Sequence, residues 1–244
     1  MDLHKITLVA DWLKASGSTV ILTGAGMSTE SGIPDFRSRE GWWKKIDPMT
    51  VSTVEALENE YELFHGFYSL RLTDLNTCHP HKGHHFLAEW ENQGFVKGIV
   101  TQNVDGFHQE AGNKSVHELH GSLRSIFCSD CGQASDEGTF LNQDTCSECG
   151  GHLRPDIILF GEMLPQEVWG KAIRLIEESD LLIVIGSSLQ VSPANELPFL
   201  TNGQKVIINN EATLLSEQFD LQLEGKAGDI LEAIDEKRKG GDFS

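Results

Sequence analysis

Residues 19–32 read TVILTGAGMSTESG, in which a short apolar run leads directly into a glycine-rich turn. Strands of a parallel sheet are buried on both faces, so they appear as continuous apolar runs. In such sheets, ligands bind beyond the carboxyl ends of the strands. We therefore predict a buried strand at 19–23, a ligand-binding turn at 24–26, and a short helix capped by Ser28 or Thr29.

The glycine spacing argues against an ordinary hydride-transfer enzyme. Gly24, Gly26 and Gly32 follow a GxG-x5-G pattern. The dehydrogenase fingerprint is GxGxxG, with an acidic residue about 20 residues further on to hold the ribose. A helical insert is predicted there instead. The glycines can let the backbone approach a pyrophosphate, but a plain tight turn explains them equally well.

Short apolar strands and amphipathic helices alternate along much of the chain, which indicates an α/β protein with a parallel sheet. We predict helical structure for 38–85 and a helix at 86–90, and we read 157–160 as a further strand. Five predicted strands end in small or polar residues, namely GAG (24–26), TQNVD (101–105), HG (120–121), GSS (186–188) and NN (209–210). A site at their common edge is therefore expected.

The composition is that of an ordinary globular protein, with 244 residues, 39% hydrophobic residues and a formal net charge of −18. The acidic balance argues against nucleic acid as a partner and suits a cationic protein segment, although it could serve solubility alone. The run Leu181–Ile185 is too short to cross a membrane, and residues 1–16 do not resemble a signal peptide. We expect a cytoplasmic protein with no membrane contact.

Four cysteines form two matched pairs, Cys128-x-x-Cys131 and Cys146-x-x-Cys149. Two such turns bring four thiolates to one tetrahedral point, which suits a structural zinc ion. Redox chemistry of a CxxC pair is the alternative. The segment Cys78–His85 holds four further histidines, which we interpret as surface residues at a helix start rather than as a second metal site.

Three polar residues follow predicted strands and are candidates for chemistry. His120 has the residue type of a general base that works near neutral pH, although a lone histidine is often structural. Asn103 and Asp105 could orient a carboxamide ligand or a water molecule. An Asx turn with a capping aspartate explains the same spacing equally well.

Taken together and in this order, the motifs resemble the sirtuin family of NAD-dependent protein deacylases, most closely its bacterial members with short termini. The segments that carry the resemblance are GAGMSTESGIPDFRS (24–38), TQNVDGFHQEAG (101–112), HELHGS (117–122), the two cysteine pairs, RPDIILFGEMLP (154–165), GSSLQVSPA (186–194) and IINNEAT (207–213). The resemblance implies a Rossmann-like large lobe formed by 1–37, 86–121 and 157–237. It also implies a small lobe with a helical module (38–85) and a zinc ribbon (122–156).

The resemblance further implies that NAD and an acetylated lysine enter the cleft between the lobes from opposite sides. In the reaction that the resemblance implies, nicotinamide leaves and the acetyl group passes to ADP-ribose, with His120 as general base and Asn103 as a second catalytic residue. The cofactor contacts that it implies are Gly24, Ala25, Gly26, Thr29, Asp35, Phe36, Arg37, Gln102, Val104, Asp105, Gly186, Ser187, Ser188, Asn209, Asp229 and Ile230. One structural zinc on Cys128, Cys131, Cys146 and Cys149 would stay outside the chemistry.

Acylated lysine proteins are the partners that the resemblance implies, and the oligomeric state is not indicated. The substrate peptide would be clamped as an added strand by Phe160, Gly161, Glu162, Leu189, Gln190 and Val191. Tyr68 and Arg71 match the spacing with which some members bind succinyl or malonyl groups. Members with that pair usually carry threonine where this chain has Asp35, and Trp42 and Trp43 could narrow the pocket. Protein ADP-ribosyl transfer and a non-catalytic NAD-binding role are also compatible with these residues.

Overall fold

The computed structural model describes residues 2–35 and 46–240. The α-helices in these ranges are α1 (Leu3–Ala15), α2 (Pro48–Val51), α3 (Val54–Asn59), α4 (Tyr61–Leu75), α5 (Lys82–Asn92), α6 (Phe107–Ala111), α7 (Glu137–Leu141), α8 (Gln166–Glu177) and α9 (Ala227–Lys239). The strands are β1 (Thr19–Thr23), β2 (Val96–Thr101), β3 (Val116–Glu118), β4 (Gly121–Cys128), β5 (Ala134–Ser135), β6 (Leu153–Ile157), β7 (Leu181–Ile185), β8 (Gln204–Asn209) and β9 (Leu221–Glu224). Short 3-10 helices cover Ala25–Ser31, Leu197–Phe199 and Ser216–Gln218.

Six strands form a parallel sheet in the order β3-β2-β1-β7-β8-β9. Helices α1, α5 and α9 contribute to the apolar core on one face, and α8 contributes to the core on the other. The α/β class and the five predicted strands with polar ends are confirmed. Strand β9 was not predicted, because only Leu221 and Leu223 of its four residues are apolar and buried.

A second, antiparallel sheet has the order β5-β4-β6 and shares an apolar core with α3 and α4. The predicted strand at 157–160 is wrong. The strand in this region is β6, which pairs with β4, and only Phe160 beyond it makes a bridge, to Thr53. An apolar run does not by itself distinguish a strand from a loop that packs against the core.

Two local expectations also need correction. Ser28 and Thr29 lie inside the 3-10 helix Ala25–Ser31 and do not cap its start. Helix α5 begins at Lys82 rather than at Phe86. As a result, His84 lies within the helix and is fully buried, whereas a surface position was expected. Within the described ranges, every helix is too short or too polar to span a lipid bilayer.

Candidate functional site

The carboxyl ends of the central strands open into a cavity of about 1360 Å³. Cavities for one small ligand are typically about 300–1,000 Å³, so the space suits two ligands or one extended ligand. The predicted cofactor residues that line it are Gly24, Ala25, Gly26, Thr29, Asp35, Gln102, Val104, Gly186, Ser187, Ser188 and Asn209. The other predicted site residues in its wall are Asn103, His120, Phe160, Gly161, Glu162, Gln190, Val191, Tyr68 and Arg71.

Some predicted site residues lie elsewhere. Asp105 and Leu189 are buried behind the wall, with relative exposures of 8% and 4%. Asp229 is at the surface, where its carboxylate pairs with Lys82, and Ile230 belongs to the apolar core. Gly225 and Ala227, two to five residues earlier in the chain, line the cavity instead. The residues that fall outside the described ranges are Phe36, Arg37, Trp42 and Trp43.

The turn after β1 is locked against the turn after β7. The backbone N–H of Gly26 donates to the carbonyl of Gly186 over 2.8 Å. A Cβ atom on Gly24 or Gly26 would lie 2.8 Å from that carbonyl oxygen, and Gly186 itself has a φ of +65°. These glycines are therefore required by the contact between two backbones, in addition to any approach by a ligand.

Asn103 is held by two hydrogen-bond chains. Its backbone N–H donates to the hydroxyl of Thr101 over 3.0 Å, and Thr101 accepts from the hydroxyl of Thr23 over 2.8 Å. Because Thr23 donates its only hydroxyl proton there, it accepts from Nε2–H of His108 over 2.9 Å. The Asn103 side-chain amide donates to Ser28 over 3.1 Å. Both the backbone and the side chain of Asn103 are thus fixed in the cavity wall.

Asp105 shares the Ser28 hydroxyl with this amide. Its carboxylate accepts from the hydroxyl of Ser28 over 2.7 Å and from the backbone N–H of Phe107 over 3.0 Å. Burial raises the pKa of Asp105, although both hydrogen bonds oppose the shift. An ionised carboxylate has further lone pairs that can accept from an amide N–H group of a ligand.

His120 has the orientation that a general base requires. Its Nδ1 lies 3.1 Å from the carbonyl oxygen of Gln102. A carbonyl only accepts, so Nδ1 carries the proton and Nε2 keeps its lone pair. Burial lowers the pKa of His120, and the hydrogen bond to Gln102 partly offsets this. Burial therefore favours the neutral form of the imidazole.

The four predicted metal-ligating cysteines are brought together. Their Sγ atoms all lie within 4.8 Å of one another, and two of the separations are 3.5 and 3.7 Å. A tetrahedral zinc ion with Zn–S bonds of about 2.3 Å requires sulfur atoms about 3.8 Å apart, whereas a disulfide requires about 2.05 Å. The two turns are alike, since Gly132 donates to the Cys128 carbonyl and Gly150 to the Cys146 carbonyl. The donor set fits a closed structural zinc site.

Tyr68 and Arg71 lie next to each other in the wall of the cavity. The Tyr68 hydroxyl donates to Ser52 over 2.9 Å. The Arg71 guanidinium lies 5.7 Å from the centre of the Tyr68 ring and 5.6 Å from that of Phe67. Burial lowers the pKa of Arg71, but a guanidinium stays charged at any physiological pH. The cavity wall therefore carries a cationic group at Arg71.

Sequence reasoning missed the buried histidines behind the site. His84 and His108 have ring centres 5.0 Å apart and are almost inaccessible to solvent. Burial lowers their pKa values to about 2 and about 4. His84 lies on the inward face of α5, and a tertiary contact of this kind leaves no mark in the local sequence. Among the described residues, only the four cysteines form a group that could hold a metal ion.

Comparison with known proteins places these features in context. The model of the Sir2 family matches residues 24–193 of this chain. The NAD-dependent protein deacetylase 1 of Geobacillus kaustophilus is 50% identical over 234 residues, which cover 94% of this chain and 97% of that protein.

Solved structures agree in fold over nearly the whole chain. A Sir2 homologue in complex with NAD has a TM-score of 0.88 and 36% identity, covering 95% of this chain and 93% of its own. A Sir2 variant with a deacetylated p53 peptide and 3′-O-acetyl-ADP-ribose has a TM-score of 0.90 and 34% identity, covering 95% of this chain and 98% of its own.

Proposed function

This chain belongs to the Sir2 family, and we propose that it is an NAD-dependent protein lysine deacetylase. The observation that carries the proposal is the setting of His120. Its imidazole is fixed through Nδ1 and lines the cavity that the glycine turn and the 157–162 segment also line. A base beside a glycine-rich cofactor turn and a potential peptide-binding segment fits acyl transfer from a lysine side chain to a nucleotide.

The wall of the cavity offers groups for each part of NAD. The turn at 24–26 would lie against the pyrophosphate, because its small residues let a ligand approach the backbone closely. Asn209 and Ser188, together with Gly225, would surround the adenosine half. Gln102 and Asn103 would contact the nicotinamide ribose, and Val104 would face the carboxamide, with the buried Asp105 behind it. Bound NAD supplies a good leaving group, nicotinamide, and an ADP-ribose that receives the acetyl group.

Two side chains and the shape of the cavity serve the proposed reaction. The neutral His120 takes a proton at Nε2 from a ribose hydroxyl and so makes it nucleophilic. Asn103 holds the ribose in a fixed orientation, because both of its own ends are hydrogen-bonded. Filling the cavity with both substrates excludes bulk water, which limits simple hydrolysis of NAD.

The peptide would bind at the opposite mouth of the cavity. The cavity wall includes Phe160 and Gly161 from one segment and Gln190 and Val191 from another, so an extended peptide could bind along these segments as an added strand. Leu189 supports this side from the core. Acylated lysine proteins are therefore the proposed partners, and the net charge of −18 suits lysine-rich segments.

The test is mass spectrometry of the purified protein with NAD and matched acetyl-, succinyl- and unmodified lysine peptides. We expect free lysine peptide, nicotinamide and O-acetyl-ADP-ribose in equal amounts, formed only when acetyl peptide and NAD are both present. ADP-ribose attached covalently to the protein or peptide would instead favour ADP-ribosyl transfer. Binding of NAD and peptide without any product would contradict an enzymatic role.

Removal of acidic acyl groups is a second candidate function, because Tyr68 and Arg71 both line the cavity. A guanidinium can pair with a succinyl carboxylate through two hydrogen bonds. Tyr68 already donates its proton to Ser52, so Arg71 is the main candidate partner. Asp35 lines the same cavity, and its negative charge would oppose an acidic acyl group.

We expect Arg71→Met to lower any desuccinylase activity by roughly 10- to 100-fold, the value of a lost charged hydrogen bond. Deacetylation should change by less than about threefold, because an acetyl group has no carboxylate to lose. Arg174→Met, a position on α8 outside the cavity wall, is the matched control. Equal loss of both activities would show that Arg71 shapes the pocket without recognising charge.

Domain organisation and cellular location are also proposals. We propose the division into a large lobe (1–37, 86–121, 157–237) and a small lobe (38–85, 122–156), supported by the two separate sheets and cores. We propose a cytoplasmic location, supported by cysteines spaced for metal binding rather than for disulfides.

A further inference from the structure

The segment 157–162 lines the peptide side of the cavity, but the carboxylate of Glu162 is turned toward the protein. Its Oε1 lies 2.5 Å from Nη1 of Arg154, and its Oε2 lies 3.1 Å from Nη2. Oε2 also accepts the backbone N–H of Leu159 over 2.7 Å. The carboxylate therefore has three hydrogen bonds within its own protein, so a direct contact with substrate is not its main role.

Arg154 is almost completely buried, with 5% of its side chain exposed. Besides Glu162, its guanidinium donates to the carbonyl of Ile157 over 2.6 Å and to that of Pro155 over 3.3 Å. It also lies 5.3 Å from the centre of the Phe127 ring, on the neighbouring strand. The Arg154 side chain thus contacts Ile157 at the start of the 157–162 segment, Glu162 at its end, and strand β4 of the antiparallel sheet.

The same segment is connected to the rest of the cavity through its backbone. The N–H of Ile158 donates to the carbonyl of His120 over 3.0 Å. The N–H of Phe160 donates to Ser52 over 2.8 Å, and its carbonyl accepts from Val54 over 3.2 Å. Gly161 has a φ of +96°, a conformation that reverses the chain between Phe160 and Glu162. The backbone that would pair with a peptide is consequently held on both sides of its turn.

We propose that Arg154 and Glu162 are a positioning pair, which holds the 157–162 segment in the conformation that accepts the acyl peptide. The inference rests on the proposed function, since it concerns the peptide side of that site. Without the pair, the segment must be ordered each time a peptide binds, and this lowers affinity for the peptide. The reacting groups at His120 and Asn103 are not touched by the pair, so the rate at saturation is largely preserved.

The experiment compares Glu162→Gln and Arg154→Gln in steady-state deacetylation of an acetyl-lysine peptide. We expect KM for the peptide to rise about tenfold in both variants. The value of kcat should stay within about twofold, and KM for NAD should be unchanged. Glu167→Gln is the matched control, because Glu167 forms an exposed ion pair with Lys171.

Because Arg154 is buried, the Arg154 variant distinguishes a positioning role of the pair from direct contact with the peptide. If Glu162→Gln raises KM and Arg154→Gln does not, Glu162 touches the peptide itself and the proposal is wrong. If both variants lower kcat at constant KM, they only reduce the folded fraction, and the proposal is again wrong.

A single variant leaves one buried charge without its partner, which can prevent folding. The double variant Arg154→Met with Glu162→Gln removes both charges and serves in that case, with the same expected rise in KM. Calorimetric titration of the acetyl-lysine peptide reports binding even if the wild-type protein shows no turnover. A wild type that binds peptide without turnover would contradict the proposed function alone, whereas equal peptide Kd values in wild type and variants would contradict this inference alone.

Discussion

His120→Asn is expected to lower kcat of deacetylation by about 10²- to 10⁴-fold, the usual contribution of a general base. Asparagine keeps a side-chain N–H that can donate to the Gln102 carbonyl, but it has no basic nitrogen in place of Nε2. The fold and the affinity for NAD should therefore be retained. The measurement is kcat from initial rates, together with NAD binding and the melting temperature of the variant.

His117→Asn is the matched control, since His117 lies three residues earlier, on β3, and does not line the cavity. It should keep near-normal activity. Retention of full activity by His120→Asn would remove the base assignment.

The same assignment predicts the pH dependence. A general base works in its neutral form, and burial favours that form by lowering the pKa of His120 below the usual 6.5. Activity should therefore be present at neutral pH and fall as the pH drops through the lowered pKa. The acid limb of log(kcat/KM) against pH, which reports the free enzyme, is expected to have its midpoint below 6.5. A midpoint above neutral pH would contradict a buried, neutral imidazole.

Cys131→Ser is expected to remove zinc and to lower the melting temperature by on the order of 10 °C. Loss of a structural metal belongs among effects of about 4 kcal/mol or more, and each kcal/mol shifts a chain of this size by about 2–4 °C. The physical reason is that the two cysteine turns carry few apolar residues of their own. The metal therefore replaces a core in this part of the small sheet.

Cys78→Ser is the control for this prediction, because Cys78 lies outside the cluster of four. Metal analysis should give one zinc ion per chain for wild type and Cys78→Ser, and less for Cys131→Ser. Zinc retained at full stoichiometry in Cys131→Ser would contradict four-cysteine coordination. A stable, metal-free wild type with normal melting would contradict a structural role for the metal.

Features that depend on short sequence patterns could be predicted from the sequence. The strands at 19–23 and 181–185 are continuous apolar runs, and they form the centre of the sheet as predicted. The spacing of the two cysteine pairs was sufficient to predict a metal-binding site. The apolar run at 157–160 led to a wrong strand prediction. The same pattern occurs both in strands and in segments such as this one, which packs against the helical module. The prediction of His84 as a surface residue was wrong for a related reason. The residue at which α5 begins decides which of its side chains face the core.

The sequence by itself predicted the fold class, the four clustered cysteines and most of the residues that line the cavity, because strand periodicity, strand ends and ligand spacing are local properties. Only the tertiary structure decided how these members act. It orients His120 through Gln102, fixes Asn103 through Thr101 and turns Glu162 inward to Arg154. Apart from the local bond between Asn103 and Thr101, these hydrogen bonds join residues that lie eight or more positions apart in the chain. Their partners become defined when the sheets assemble, and no local pattern encodes them.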